Sequence, residues 1–535
     1  MALTKHKSGQ PVTTKTVRDA VMDLLREFGM TTVFGNPGST ELSLFLDYPT
    51  DFRYVLGLQE SLVVAMADGY AQATRNAAFI NLHSAVGVGH AMGSIFTAYK
   101  NCTPLVITAG QQSRAILPFD PFLFSSRATE LPQPYVKWSI EPARAEDVPQ
   151  AIARAYYIAM QAPRGPVLVS VPADDWARSC EPVHARHVST MIRPEPALIN
   201  EMGDMLDKSR RPAFVIGTAV DRDQAWDQVV ALAERHNAAV WVAPMTGRCG
   251  FPEDHPLFAG FLPAARESIV QLLDGRDLVF ALGAPAFTYH VDGVGPHLPQ
   301  GCRLAQISED PDVVAWAPTG IAAVGSVRLG IEDLLARRAR PRRAPPSPRV
   351  AAPRLKPTKP MSIAYVLQTL AELRPRDSIV VEEATSARPI MQRYLPFFEP
   401  DTFYTMCSGG LGFGLPAAVG VALGKPGKKV IGVLGDGAAM YSIQGLWSAV
   451  QLNLPIMYVI LKNRRYATLK DFASVYGFVQ GDELQGTDLP GMDFVSLARG
   501  QGCDAVTVST AAQLRSALRK GLANTKPVLI EVDVA

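Results

Sequence analysis

The fold is decided by the stretch KVIGVLGDGAAMYSIQGLWSAVQLNLPIMYVILKN, from Lys429 to Asn463. Two short apolar runs rich in β-branched residues, at 429–434 and 455–461, have the length and composition of buried strands. Gly435-Asp436-Gly437 forms a sharp exit from the first, and the sequence predicts a helix over 441–451. Strand, turn, helix and strand make the unit of a parallel sheet covered on both faces. In such sheets ligands gather beyond the carboxyl ends of the strands, which sets Asp436 beside Asn463. A carboxylate together with an amide carbonyl suits a hard divalent cation, and that cation would bring a diphosphate with it. Glycines on either side of Asp436 let the backbone approach phosphate oxygens, and helix amino ends supply further N–H donors. A bare Gly-Asp-Gly is a turn more often than a site. Asn463, at the end of the next strand, is what makes it a site.

The same alternation runs through the chain. Val17, Val21, Leu24, Leu25 and Phe28 share one helical face, with Gly29 at the capping position. Strands are then predicted at 31–34, 54–58, 78–82, 105–108 and 167–171, with helices at 61–73, 89–99 and 148–162 between them. A second region repeats the pattern with strands at 213–216, 239–242, 278–282 and 303–307 and a helix at 224–235. Residues 337–360 change character, being basic and proline-rich, and read as a solvated connector. The last region has strands at 378–381, 429–434, 455–461 and 528–532. The fold class is α/β, with three doubly wound parallel-sheet domains at 1–186, 187–336 and 361–535, and 337–360 as linker.

Composition agrees. At roughly 150 residues per domain, 535 residues make about three or four domains. With 47% hydrophobic and 19% charged residues the chain can build sizeable cores, which excludes a mostly disordered protein. Lys plus Arg at 52 against Asp plus Glu at 50 gives no nucleic-acid footprint. Six scattered cysteines, Cys102, Cys180, Cys249, Cys302, Cys407 and Cys503, read as buried thiols, with neither a disulfide framework nor a zinc site. Residues 1–16 lack the apolar core of a signal peptide, and the longest apolar runs fall short of a membrane span. A cytoplasmic protein is expected, with a small molecule as its partner and neither nucleic acid nor membrane.

Further motifs extend the diphosphate site. They are Phe34-Gly35-Asn36-Pro37-Gly38-Ser39, Leu58-Gln59-Glu60 and Asn81-Leu82-His83-Ser84 in the first domain, and Tyr289-His290 in the middle one. The last domain adds Gly409-Gly410-Leu411-Gly412-Phe413. Together they resemble the thiamine-diphosphate-dependent decarboxylases, and among these the benzoylformate decarboxylases, over nearly the whole chain past the first dozen residues. The resemblance implies a pyrimidine-binding first domain, a middle domain and a diphosphate-binding last domain. It implies thiamine diphosphate with Mg2+ or Ca2+ as cofactors. The implied reaction is non-oxidative decarboxylation of an aromatic 2-oxo acid, benzoylformate to benzaldehyde and CO2, through an ylide and an enamine. A homotetramer with active sites at dimer interfaces is implied as well. No FAD is expected, because Gly217 and Gly283 are isolated and the middle domain has no Gly-x-Gly-x-x-Gly after a strand.

By the same resemblance Glu60 hydrogen-bonds the aminopyrimidine and promotes the imino tautomer that takes the thiazolium proton. The Gly409 carbonyl accepts from the exocyclic amine, and Leu411 wedges the cofactor into its bent shape. Asp436, Asn463 and the carbonyl of Arg465 match the metal ligands. Thr385, Gly437, Ala438, Tyr441 and Tyr466 match positions near the diphosphate or pyrimidine. His83 and His290 match proton-transfer groups, a task suited to imidazole. Ser39 matches the group that holds the substrate carboxylate, and Thr468, Leu469 and Phe472 line the pocket. His90 and His236 receive no role.

The chain departs from the pattern in places. Lys462-Asn463 replaces an Asn-Asn pair, Arg464-Arg465 replaces small residues, and Ala438 stands where a serine is common. Thr468 takes a pocket position that is typically alanine, and Asp471 one that is aromatic. The alternatives are a carboligase of the acetolactate-synthase or benzaldehyde-lyase kind, and a non-catalytic homologue. His83-Ser84 disfavours the first, and the joint presence of Glu60, Asp436 and Asn463 the second.

Overall fold

The computed structural model describes residues 14–338, 343–479 and 481–535, so linker residues 339–342 lie outside the described residues. Among the described residues, three sheets of six strands each organise the chain, and every pairing within them is parallel. The first runs Arg53–Leu56, Thr32–Gly35, Ala78–Leu82, Leu105–Gln111, Pro166–Pro172 and Ser139–Ile140 in spatial order. The second runs Phe258–Phe261, Ala239–Val242, Pro212–Ile216, Leu278–Leu282, Arg303–Ser308 and Ile321–Val324. The third runs Phe403–Thr405, Ile379–Glu383, Val430–Gly435, Ile456–Lys462, Val528–Asp533 and Asp504–Val508. Residues 14–67 with 76–189 form one compact unit, and 68–75 with the described residues from 190 onward a second that holds both later sheets.

The central strands are buried at every position in Ala78–Leu82, Leu105–Gln111 and Leu278–Leu282. This is why they read as mainly apolar runs instead of alternating ones. Helix ends follow local chemistry. Thr16 caps Val17–Glu27 by accepting the Asp19 N–H, and Gly29 takes φ 70° just past its end.

Three expectations need correction. The predicted helix at 441–451 is two helices, Asp436–Met440 and Gly445–Gln451, and Tyr441 lies in the break between them. The helix expected from Gly89 is Ser84–Lys100, so it starts directly after His83. Cys180, Cys249 and Cys503 are buried, but Cys102, Cys302 and Cys407 are only partly so; none of the six is in a disulfide. In the connector, residues 343–360 carry neither helix nor strand. Its arginines are nonetheless engaged: Arg343 donates to the Ser209 carbonyl and Arg349 lies over Phe258. Among the described residues no helix is long and apolar enough to cross a membrane.

Candidate active site

In the second unit the register Gly435 opposite Leu461 brings two strand ends level. Asp436 opens the short helix after Val430–Gly435, and Asn463 directly follows Ile456–Lys462. The Asp436 carboxylate is buried. Its Oδ1 accepts the Gly437 N–H at 2.8 Å, and its Oδ2 the Arg464 N–H at 2.6 Å. Burial raises its pKa, opposed by those backbone donors. Arg464 holds φ 59°, so the chain turns sharply after Asn463, whose Oδ1 accepts the Arg465 N–H at 3.2 Å. The two predicted cation ligands are thus tied to one hairpin of backbone, with oxygens of the hard type that a divalent metal takes.

Around this pair the backbone is closely packed. A Cβ on Gly437 would lie 2.4 Å from the Tyr466 ring, so only glycine fits there. Tyr466 is held by its N–H to the Thr487 carbonyl, and the Leu489 N–H closes on the Arg464 carbonyl, both at 2.8 Å. Ala438 is buried beside them, whereas Tyr441 is exposed. The carboxylate and amide oxygens beside a backbone this close are chemically suited to a divalent metal and the diphosphate it would carry.

The Gly409–Phe413 loop is fixed from below by a residue the sequence reading did not single out. Glu383, at the end of Ile379–Glu383, is fully buried and accepts the N–H of Gly412 at 2.5 Å and of Gly414 at 2.6 Å. Burial pushes its carboxyl up to about 8 against those bonds. Gly409 and Gly412 both take positive φ, 74° and 101°, and Leu411 is half-buried between them. A carboxylate ending an apolar strand, two residues before Thr385, was the available signal.

Two contacts link residues expected at the substrate and cofactor sites. His290, exposed at the carboxyl side of the second sheet, has its ring 4.7 Å from that of Phe472, edge to face. Thr385 Oγ1 and Thr468 Oγ1 are 3.3 Å apart, and Leu469 is exposed nearby in sequence.

In the first unit His83 caps Ser84–Lys100, with Nδ1 2.9 Å from Glu41 Oε2 and 3.0 Å from Thr40 Oγ1. Glu41 is buried and also accepts the Gly38 N–H. A Cβ on Gly38 would fall 2.2 Å from the His83 ring, which explains the glycine. Ser39 is exposed at the start of the 3-10 turn Ser39–Glu41, so Glu41 and Thr40 are the groups that orient His83. Glu60 is buried at the start of Glu60–Thr74, and its Oε2 lies 3.0 Å from His90 Nδ1. His90, expected to have no role, is therefore beside the predicted activating carboxyl. Its position seven residues after His83 was a signal, since two helical turns bring such residues to one face. His236 stays structural: burial with Arg343 beside it holds it down at about 4.

These parallel sheets, with carboxylates and glycine turns at their strand ends, match known models along the chain. Residues 15–130 match the thiamine pyrophosphate enzyme N-terminal TPP-binding domain, 199–334 the central domain and 383–532 the C-terminal TPP-binding domain. The chain belongs to the thiamine pyrophosphate enzyme family. Within it, the chain is 45% identical to a benzoylformate decarboxylase of Pseudomonas aeruginosa, over 97% of this chain and 98% of the relative. Among solved structures it resembles the benzoylformate decarboxylase of Polynucleobacter necessarius, with TM-score 0.95 and 41% identity over 97% and 99% of the two chains. It also resembles a thiamine diphosphate-dependent 4-hydroxybenzoylformate decarboxylase of Rhodococcus jostii, with TM-score 0.93 and 40% identity over the same shares.

Proposed function

We propose that this chain decarboxylates an aromatic 2-oxo acid, benzoylformate or a ring-substituted relative, to the aldehyde and CO2. The observation that carries the reading is the edge-to-face contact of His290 with Phe472, an imidazole set against an apolar ring. A pocket built this way offers a proton beside a surface suited to an aryl group. Thiamine diphosphate, when bound, supplies the nucleophilic carbon and the electron sink that lets CO2 depart. Asp436, Asn463 and the Arg465 carbonyl hold Mg2+ or Ca2+, and with it the diphosphate. Gly437, Ala438, Tyr441, Tyr466 and Thr385 line that end. The Gly409 carbonyl and Leu411 orient the ring end, on a loop anchored by Glu383.

Glu60 holds the proton exchanged with the aminopyrimidine. His83, fixed by Glu41, and His290 carry protons to and from the reacting substrate, and Ser39 binds its carboxylate. Leu469, Phe472 and Thr468 shape the acyl pocket. The domains run 1–186, 187–336 and 361–535, with 337–360 as linker, and the protein works in the cytoplasm as a homotetramer with active sites at dimer interfaces. The test is steady-state decarboxylation with thiamine diphosphate and magnesium on benzoylformate, 4-hydroxybenzoylformate, phenylpyruvate, pyruvate and a branched-chain 2-oxo acid. The aryl substrates should lead by at least tenfold in kcat/KM, about 1.4 kcal/mol. A clear preference for pyruvate, or carboligation as the main outcome, would overturn the reading.

A further inference from the structure

Glu60 has two carboxylate oxygens, and they meet different surroundings. Oε2 lies 3.0 Å from His90 Nδ1. Oε1 faces Gly87, where even a Cβ would come within 3.2 Å. Gly87 and His90 are three residues apart on Ser84–Lys100 and so share one face of that helix. One helix therefore presents a bare backbone position to one oxygen and an imidazole to the other. The Glu60 side chain is 10% exposed and that of His90 55%, so the pair joins a buried carboxyl to a half-exposed imidazole. The other histidine at this end of the helix, His83, is already engaged by Glu41 and Thr40. In the Nδ1–H tautomer the imidazole donates to Oε2, which accepts whether or not Oε1 carries a proton.

We propose that His90 is a positioning residue for Glu60. Its Nδ1–H fixes Oε2 and the carboxyl rotamer, which leaves Oε1, with only glycine beneath it, as the oxygen free to serve the cofactor. A glutamate side chain has three rotatable torsions, and without a second partner it would lose this single orientation. The inference rests on the reading of Glu60 as the activating carboxyl.

The test compares His90→Leu, His90→Asn and Glu60→Gln in the full-length enzyme. Asparagine places an amide nitrogen close to where Nδ1 of histidine sits, whereas leucine fills the volume without a donor. Two quantities are read: thiamine diphosphate affinity of the apoenzyme by calorimetry with magnesium present, and kcat and KM for the 2-oxo acid. His90→Leu should weaken cofactor binding and lower kcat on the order of tenfold each, the lower range for a hydrogen bond to a charged group. KM for the 2-oxo acid should stay put, and His90→Asn should restore most of both losses. If leucine is harmless, or asparagine fails as badly as leucine, His90 does not position Glu60. If Glu60→Gln itself keeps full turnover, the Glu60 reading falls and the proposal falls with it.

Discussion

Asp436 carries more of the candidate site than any other single side chain. Its two oxygens anchor both the turn into its own helix and the turn after Asn463, and it is the one anionic group among the three predicted metal ligands. Asp436→Ala should lower magnesium and thiamine diphosphate affinity together, by roughly a hundredfold or more, since even outer partners of metal ligands are worth about ten- to a hundredfold. Calorimetry showing unchanged cofactor binding would exclude the assignment. Thr468, expected to line the acyl pocket, is a subtler case. Its hydroxyl lies 3.3 Å from that of Thr385, so it adds bulk and polarity beside Leu469 and Phe472. Thr468→Ala should raise kcat/KM for benzoylformate over small aliphatic 2-oxo acids by about three- to tenfold, or 0.7–1.4 kcal/mol. An unchanged ranking across the substrate panel would remove Thr468 from the pocket.

Among the elements, the glycine loop depends on one strand end. Glu383 offers two oxygens to two N–H groups, and a Cβ on Gly414 would fall 2.6 Å from the Glu383 Cβ. Glu383→Gln replaces one acceptor with a donor facing a donor, at a cost of about 1–3 kcal/mol for the unsatisfied group. Amide hydrogen exchange across 409–414 should speed up in the apoenzyme, and cofactor affinity should fall roughly tenfold or more. Protection equal to wild type would show that the loop holds itself. The sequence made the inner elements legible: Ala78–Leu82, Ala239–Val242 and Leu278–Leu282 have the predicted bounds. Within the six-stranded sheets, the strands it did not reveal, Ser139–Ile140, Phe258–Phe261, Ile321–Val324, Phe403–Thr405 and Asp504–Val508, all lie at the edges. Edge strands are short and half-solvated, so they lack the apolar run that marks a central strand. The site divides in the same way. Asp436 and Asn463 were readable because glycines and strand ends flag them, whereas Glu383, Glu41 and His90 act through contacts between distant segments.

At the scale of the whole molecule, the second and third sheets are joined through buried charge. Arg248, almost wholly buried, pairs with Asp221 and Asp401 at 2.7 Å each and lies 3.5 Å over the Tyr404 ring. Such a group is costly to leave unpaired, and against the effect of burial it holds the Asp401 carboxyl below its ordinary value. Glu253, five residues on, is the opposite case. It borders a partly open cavity with Cys249, Phe251, Phe397 and Phe403, and among the described residues its Oε2 has no hydrogen-bond partner. Burial pushes its carboxyl up to about 8, against the pull of Arg349 and Arg374. Glu253 is thus protonated in the folded chain between its ordinary value near 4.5 and about 8, where the unfolded chain has lost that proton. The folded state binds the extra proton, so this contribution is fully present below about 4.5 and lost as pH rises through about 8. Its ceiling is roughly 4–5 kcal/mol, from 1.36 kcal/mol per pH unit. Glu383, also pushed up to about 8 by burial, acts in the same direction. Wild-type melting temperature should therefore fall by several degrees between pH 6 and 8.5. Glu253→Gln keeps the shape but cannot ionise, so its melting temperature should fall less over that range and exceed wild type at pH 8.5. Parallel melting curves for the two proteins across those pH values would show that Glu253 does not carry the effect.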